Sequence, residues 1–359
     1  MGRPPPLPAM HGRRRQTPAE AADARAKAAS KEKARAYTAL LQAVLKNNAD
    51  REYGGQAREL AAKLCALNPE AATAWNFRRR AAMEEVKGNE ETKEARANAA
   101  VAELKVSEAA LRRNPKSYCA WHHRRWVLNT WIASEYRAKP FDAIVERECT
   151  LTEEFLGLDA RNFHGWGYRR FLAEFTAEAP ETELAFSQRL IDRDLSNYSA
   201  WHHRSAVLPA CHATTTGTGD RWSGTLGALS AAAGEIPLDA LLAEQALWFE
   251  AAVTEPADQA AWVYARWVSG LGARLPDPDA REQVRQRDIK QAREVLTLEP
   301  DTTWALLHLA NSLVAGDASE AEREEAVHLY RRLADVDADR AGLYREREAG
   351  VKPAMAQSL

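Results

Sequence analysis

One short segment of the sequence has side chains that could bind an anion. Lys116 lies directly after an Asn-Pro pair, and Tyr118 follows two residues later. Asn-Pro is typical of a helix start, because Asn can cap free amides and Pro has no amide to leave unpaired. The N-terminal end of a helix favours negative charge, and a lysine with a phenolic hydroxyl there would add to that attraction. A lysine that only faces solvent is the alternative.

Arginine and histidine pairs recur in the same motif. Arg124 and Arg125 follow Trp121, and we expect such pairs to bridge to acidic residues of a neighbouring helix; recognition of a phosphate, first of all by Arg124, is the alternative. The pairs His122-His123 and His202-His203 resemble metal ligands. Adjacent residues point about 100° apart on a helix, however, and no further His or Cys spacing completes a shell. We therefore predict buried or interface histidines and no metal site in this chain.

These residues belong to a repeat that runs through most of the chain. Its copies are marked by Trp75, Trp121, Trp166, Trp201, Trp262 and Trp304. Spacings of 35 to 61 residues between them fit two helices per repeat, and such pairs must stack on their neighbours to bury their apolar faces. Each copy predicts the start of a second helix. On the helix after Pro115 the periodicity puts Tyr118 and Trp121 on one face, which we expect to pack mostly against adjacent repeats.

Composition predicts the same fold class. The 359 residues include 70 alanines, and alanine is the best helix former. We predict an all-α fold, a right-handed α-α superhelix or solenoid of stacked antiparallel helical hairpins. The expected boundaries are a flexible Pro/Arg-rich tail at 1–18, a helical-repeat domain at 19–348 with a loop insertion at about 210–237, and a tail at 349–359.

Several function classes are excluded or disfavoured by charge and motifs. The net charge of −2 gives no overall field for nucleic acid, although residues 1–35 carry nine basic residues against three acidic ones. No apolar run has the length of a membrane span or a signal peptide, so a cytoplasmic protein is expected. The sequence shows no hydrolase nucleophile elbow, no Gly-rich phosphate loop and no obvious pair of catalytic carboxylates.

The repeats resemble those of the α subunits of protein prenyltransferases, in which N-P-x-x-Y-x-x-W-H-H-R-R is characteristic; here the segment reads Asn114 to Arg125. The resemblance covers roughly residues 35–345. It implies a heterodimer with a β subunit that carries zinc and the isoprenoid pocket, so this chain alone would be inactive. Within the family the sequence is similar to the Rab geranylgeranyltransferase type, which transfers geranylgeranyl from its diphosphate to C-terminal cysteines of Rab GTPases presented by an escort protein.

The resemblance also assigns roles to individual residues. The lysine and tyrosine that the family's α subunit contributes to the catalytic rim fall on Lys116 and Tyr118. The family's next Asn-Tyr-His falls on Asn162, Phe163 and His164, and Phe163 lacks the hydroxyl. Arg124 and Trp166 match positions that support the same region around the diphosphate.

Cys119 separates the subfamilies. The enzymes that read a CaaX tail have Gln after the motif tyrosine, and a thiol is a poor substitute for that amide. Two alternatives stay open: the α subunit shared by farnesyltransferase and type I geranylgeranyltransferase, acting on CaaX proteins, and a non-catalytic helical-repeat scaffold. The known immunoglobulin-like insert and leucine-rich domain of mammalian Rab-type subunits have no room here, so we expect the helical domain only.

The head of the chain carries one further expectation. Met10-His11-Gly12-Arg13 resembles the start of Rab-type α subunits, which makes residues 1–9 an added or alternative start. His11 on a flexible basic tail could reach the partner's zinc in the empty enzyme as an autoinhibitory ligand, although a lone histidine in a tail is usually only solvated.

Overall fold

The computed structural model describes residues 18–88, 92–133, 141–176, 180–212 and 236–356, and all regular structure in them is helical. The chain divides into two compact units, Met1–Ser134 and Glu135–Leu359. The predicted all-α fold of stacked helical hairpins is confirmed. No helix in the described part of the chain combines the length and the apolar character that crossing a membrane requires.

The first unit contains two helical hairpins preceded by a long helix. Its helices are α1 (Pro18–Ala49), α2 (Gly55–Leu67), α3 (Ala72–Gly88), α4 (Lys93–Arg113) and α5 (Tyr118–Val127). A π-helical turn, Leu128–Ile132, continues α5. Within this unit α2 packs on both α3 and α4, and α4 packs on α5.

The second unit repeats the hairpin five times. Its helices are α6 (Phe141–Leu158), α7 (Phe163–Thr176), α8 (Pro180–Arg193), α9 (Tyr198–His212), α10 (Leu238–Thr254), α11 (Gln259–Gly272), α12 (Pro278–Leu298), α13 (Thr303–Leu313), α14 (Glu320–Val336) and α15 (Ala341–Ala356). Helix α15 continues past residue 348, where the sequence predicts a tail. Most of the predicted insertion at 210–237 lies outside the described residues, as does most of the predicted tail at 1–18.

Every motif copy starts a second helix, as the sequence predicts. In five of the six copies the motif tryptophan also fixes the turn before that helix. The indole Nε1–H donates to the backbone carbonyl oxygen six residues earlier. The observed bonds run from Trp75 to Pro69 (2.8 Å), Trp121 to Pro115 (2.8 Å), Trp166 to Ala160 (2.8 Å), Trp201 to Leu195 (2.8 Å) and Trp262 to Pro256 (3.0 Å). A buried ring with its one polar atom satisfied by a turn carbonyl holds helix and turn together.

A buried acidic residue on the first helix of a hairpin accepts a hydrogen bond from the second helix, 20 residues later. The pairs are Glu103 with His123 (2.9 Å), Glu148 with Tyr168 (2.7 Å), Glu183 with His203 (2.7 Å) and Glu244 with Tyr264 (2.7 Å). We call these four glutamates the buried acids. They lie at 1–4% exposure, so each carboxylate depends on protein donors instead of water.

Arginines of the preceding hairpin bond to the same carboxylates. Each of these arginines lies three residues after its motif tryptophan and makes two short contacts with the carboxylate. The pairs are Arg78 with Glu103 (2.9 and 2.6 Å), Arg169 with Glu183 (2.8 and 2.6 Å) and Arg204 with Glu244 (2.7 and 2.7 Å). The predicted bridges between motif arginines and acidic residues of a neighbouring helix are thereby confirmed. They fix the register of one hairpin against the next.

Candidate functional site

The turn before α5 presents Lys116 and Tyr118 on the surface of the first unit. Lys116 is exposed and the Tyr118 side chain is 67% exposed. Between them Ser117 is fully buried: its hydroxyl donates to the Pro69 carbonyl oxygen of the preceding hairpin (3.0 Å) and accepts from the Ala120 amide (3.2 Å). The turn is therefore anchored on both sides while the lysine and the tyrosine face outward.

This arrangement suits the binding of an anion. The Lys116 amide donates to the Asn114 side-chain oxygen (3.2 Å), which closes the turn and holds the lysine at the N-terminal end of α5. An ammonium, a phenolic hydroxyl and the positive end of the helix dipole then share one short stretch of surface. Charge that develops on an oxygen next to them would be stabilised by groups that need little rearrangement.

Cys119 points back toward the preceding hairpin. Its thiol donates to the Glu70 carbonyl oxygen at 3.7 Å. Partial burial, followed by the negative charge of Glu70, raises the pKa of Cys119 above its ordinary value, so the thiol stays protonated at neutral pH. It is neither a thiolate nucleophile nor a strong donor for a substrate carboxylate.

Three expected site residues lie in the second unit. Asn162 is fully buried and caps α7: its side-chain oxygen accepts from the amides of His164 (3.0 Å) and Gly165 (3.3 Å). His164 is half-buried, and Phe163 beside it is 69% exposed. The ring of Phe163 meets that of His164 edge-on with centroids 5.5 Å apart. Asn162 thus sets the start of α7, from which Phe163 and His164 project.

Arg124 and Trp166 are internal. Arg124 is 1% exposed, and its guanidinium donates to the Leu104 carbonyl oxygen (2.8 Å) and the Ser107 hydroxyl (3.1 Å) of its own hairpin. Trp166 is 2% exposed. Arg124 therefore does not present its charge to solvent.

The predicted face of α5 needs correction. Tyr118 and Trp121 do not share an environment, because Trp121 is 4% exposed while Tyr118 faces solvent. The buried stripe runs through Trp121, Arg124 and Leu128, and the exposed one through Tyr118 and Arg125. Tyr118 lies about 60° from Trp121 around the helix axis, on the side away from Arg124, so its ring falls on the solvent side.

The motif histidines divide in the same way. His123 and His203 are fully buried, as predicted, whereas His122 and His202 are exposed. Burial lowers the pKa of His123 below its ordinary value, against the opposing effect of Glu103. Burial by itself would raise the pKa of Glu103, but the hydrogen bond from His123 and the charge of Arg78 outweigh it, so the pKa lies below the usual range. The pair is a neutral imidazole donating to a carboxylate.

The buried acids were missed by reading the motif alone. In the sequence each buried acid lies 20 residues before a histidine or tyrosine, and that histidine or tyrosine lies two residues after the motif tryptophan. This fixed spacing is the signal that could have identified them. No group of three or more His, Cys, Asp or Glu side chains that could hold a metal occurs in the part of the chain the structure covers. His11 lies outside the described residues.

Comparison with known proteins places the chain in a family. Residues 101–131, 145–176 and 180–211 match the protein prenyltransferase alpha subunit repeat. The chain is 38% identical over 265 residues to the geranylgeranyl transferase type-2 subunit alpha of Rattus norvegicus, covering 73% of this chain and 42% of the relative. It is 27% identical over 286 residues to the protein of the same name in Dictyostelium discoideum, covering 79% and 81%.

A solved structure shows the same fold. A chain of Candida albicans protein geranylgeranyltransferase-I complexed with GGPP superposes with a TM-score of 0.64 at 20% identity, covering 88% of this chain and 91% of that one. The repeats and the fold define a protein built from prenyltransferase α-subunit repeats. The chain belongs to the family of protein prenyltransferase α subunits and is similar to those of the type-2 geranylgeranyl transferases. It spans less than half the length of the mammalian relative.

Proposed function

We propose that this chain is the α subunit of a heterodimeric protein geranylgeranyltransferase of the Rab type. The enzyme would transfer geranylgeranyl from its diphosphate to C-terminal cysteines of Rab GTPases that an escort protein presents. The observation that carries the proposal is the anchored turn with Lys116 and Tyr118 exposed at the start of α5, in a chain similar to type-2 α subunits.

The proposed role of the turn is to stabilise the leaving diphosphate. Negative charge accumulates on the diphosphate oxygens as the bond to the isoprenoid carbon breaks, and a cation beside them lowers that barrier. Lys116 would supply the charge and Tyr118 a hydrogen bond. Because Ser117 fixes the turn to the preceding hairpin, both groups would be in place before the reaction begins.

The remaining parts of the enzyme we assign to a partner. A β subunit would hold the isoprenoid and zinc, and zinc would bind the substrate cysteine as a thiolate. This chain alone would then be inactive, and we place the assembled enzyme in the cytoplasm.

Cys119 favours escort-dependent substrates over CaaX substrates. The thiol is weakly donating and already directed at the Glu70 carbonyl, which leaves no amide for a peptide carboxylate at that position. A shared α subunit of farnesyltransferase and type I geranylgeranyltransferase would be expected to read such a carboxylate. A non-catalytic scaffold would not require an outward-facing lysine and tyrosine on an anchored turn.

Co-expression of this chain with candidate β subunits, followed by a transfer assay, tests the proposal. We expect a stable heterodimer that prenylates a Rab protein only when the escort protein is added. Prenylation of a CaaX peptide without escort would favour the shared α subunit. Absence of a heterodimer with any β subunit would contradict the proposal.

A further inference from the structure

A basic pocket of about 770 Å³ opens in the first unit between the end of α1, helix α3 and the end of α5. We call it the Arg79 pocket. Its lining comprises Asn48, Arg51, Tyr53, Arg79, Arg80, Met83, Glu84 and Trp126. Three arginines face one carboxylate there, and that carboxylate, Glu84, already pairs with Lys87 at 3.2 Å. The pocket therefore carries an excess of positive charge.

Arg79 contributes most directly to this excess of positive charge. Its guanidinium carbon is 5.5 Å from the centroid of the Trp126 ring, a cation-π contact. Its Nε is buried without a hydrogen-bond acceptor among the described residues. The Arg79 guanidinium is thus half-buried against an aromatic ring without a carboxylate beside it. This environment is unusual, because arginine donors that leave water normally form hydrogen bonds to protein acceptors.

The other two arginines leave the pocket charge uncompensated. Arg80 donates to the side-chain oxygen of Asn48 at 2.7 Å, a neutral acceptor. Arg51 has a positive φ of 56°, a backbone conformation that non-glycine residues rarely adopt. The positive charge also affects the neighbouring His122. Burial and, after it, the charges of Arg79 and Arg125 lower the pKa of His122.

The two arginines of the motif pair thus have different tasks. Arg78, the first of its pair, is 5% exposed and holds the buried Glu103 through two contacts. Arg79, the second, has no such partner and opens on the pocket. The alternative role raised for Arg124, recognition of a phosphate, is better suited to Arg79, because Arg124 is 1% exposed while Arg79 lines the pocket.

We propose that the Arg79 pocket binds the phosphorylated side chain of a peptide, best of all a phosphotyrosine. Several guanidinium groups around one cavity suit a phosphate dianion better than a single carboxylate, and arginine can bind its oxygens through two donors at once. The ring walls of Trp126 and Tyr53 offer contact to the aryl group that carries the phosphate.

Calorimetric titration of the full chain, purified with its partner subunit, tests the site. The probe is a five-residue alanine peptide with a central phosphotyrosine, in buffer free of sulfate and phosphate. We expect binding that weakens as salt is added and at least a tenfold loss of affinity in Arg79→Gln. Arg266→Gln is the matched control, since Arg266 holds the same motif position in the second unit and should leave affinity unchanged.

Three comparisons make the result decisive. The unphosphorylated peptide and inorganic phosphate should each bind at least tenfold more weakly, and Lys116→Ala should leave phosphopeptide binding intact, which separates this pocket from the proposed diphosphate site. The proposal is overturned if the unphosphorylated peptide binds equally well or if Arg79→Gln, with an unchanged melting temperature, keeps full affinity. Binding to phosphatidylcholine vesicles that contain a phosphoinositide, without binding to the peptide, would also overturn it.

Discussion

Arg169 and Glu183 form a two-point ion pair, with N···O distances of 2.8 and 2.6 Å, although their side chains are only 8% and 2% exposed. Arg169 belongs to one hairpin and Glu183 to the next, and His203 donates to the same carboxylate at 2.7 Å. The pair therefore joins three helices through one buried acid. Its geometry recurs at Glu103 and Glu244, so the contact is a property of the repeat.

Glu183→Gln should destabilise the protein strongly. The substitution keeps the volume but leaves the Arg169 guanidinium buried without its counter-charge, a change that costs about 3–5 kcal/mol in comparable buried pairs. Urea unfolding at neutral pH measures it. The matched control is Glu153→Gln: Glu153 also contacts Arg169, at 3.1 Å, but is 49% exposed, so we expect a loss below about 1 kcal/mol. Equal losses in the two variants would show that the buried pair has no special weight.

Trp201→Phe should cost about 1–3 kcal/mol, because it removes the hydrogen bond to the Leu195 carbonyl oxygen and leaves a small cavity. Trp201 is 1% exposed. Trp267→Phe serves as the control, since Trp267 is only half-buried. Thermal unfolding of both variants gives the comparison. If the Trp267 variant melts lower than the Trp201 variant, the bond from motif tryptophan to turn is not a main source of stability.

Stability should fall in acid in two stages. Burial lowers the folded-state pKa of His123 and His203 below 6.5. Below about pH 6.5 these histidines therefore bind protons in the unfolded chain but stay neutral in the folded chain. Each of them then lowers the free energy of unfolding by up to about 1.4 kcal/mol per pH unit. Glu103 and Glu183 contribute at lower pH. Burial by itself would raise their folded-state pKa values, but their hydrogen bonds hold these values below 4.5. Their stabilisation is lost as the pH falls below that value.

The free energy of unfolding, measured from pH 7.5 to 5, checks the first stage. His203→Gln can still donate to Glu183 and no longer titrates, so its stability should depend less steeply on pH in that range. A stability that stays constant between pH 7 and 5.5 in the parent protein would show that these histidines are not buried as neutral groups.

Much of the fold could be predicted from the motif copies. Asn-Pro or Glu-Pro before a tryptophan is local chemistry, so the starts of α3, α5 and α11 follow from a few neighbouring residues. The buried acids could not be found in that way. Glu103 reads as one more charged residue on an Ala-rich helix, and only its distance to His123 across the hairpin gives it a partner. Non-local pairing of this kind lies outside the range of helix periodicity.

The candidate site shows the same division. Exposure of Lys116 was foreseeable from a turn, whereas the burial of Arg124 depends on Leu104 and Ser107 in the opposite helix. The environment of Tyr118 was predicted wrongly, because position on a helix wheel says which residues share a face but not where the neighbouring hairpin ends. The Arg79 pocket likewise needs three helices before its unpaired charge becomes visible.

The rate of a single turnover by the Lys116→Ala heterodimer tests the central claim most directly. Lys116 is exposed on an anchored turn, so its removal should leave folding and subunit assembly intact. If it stabilises the leaving diphosphate, the transfer rate to an escort-bound Rab protein should fall at least a hundredfold, as with other groups that act on developing charge. Lys105→Ala, another exposed lysine of the first unit, should keep the parent rate. A Lys116→Ala heterodimer that transfers geranylgeranyl as fast as the parent enzyme would contradict the account.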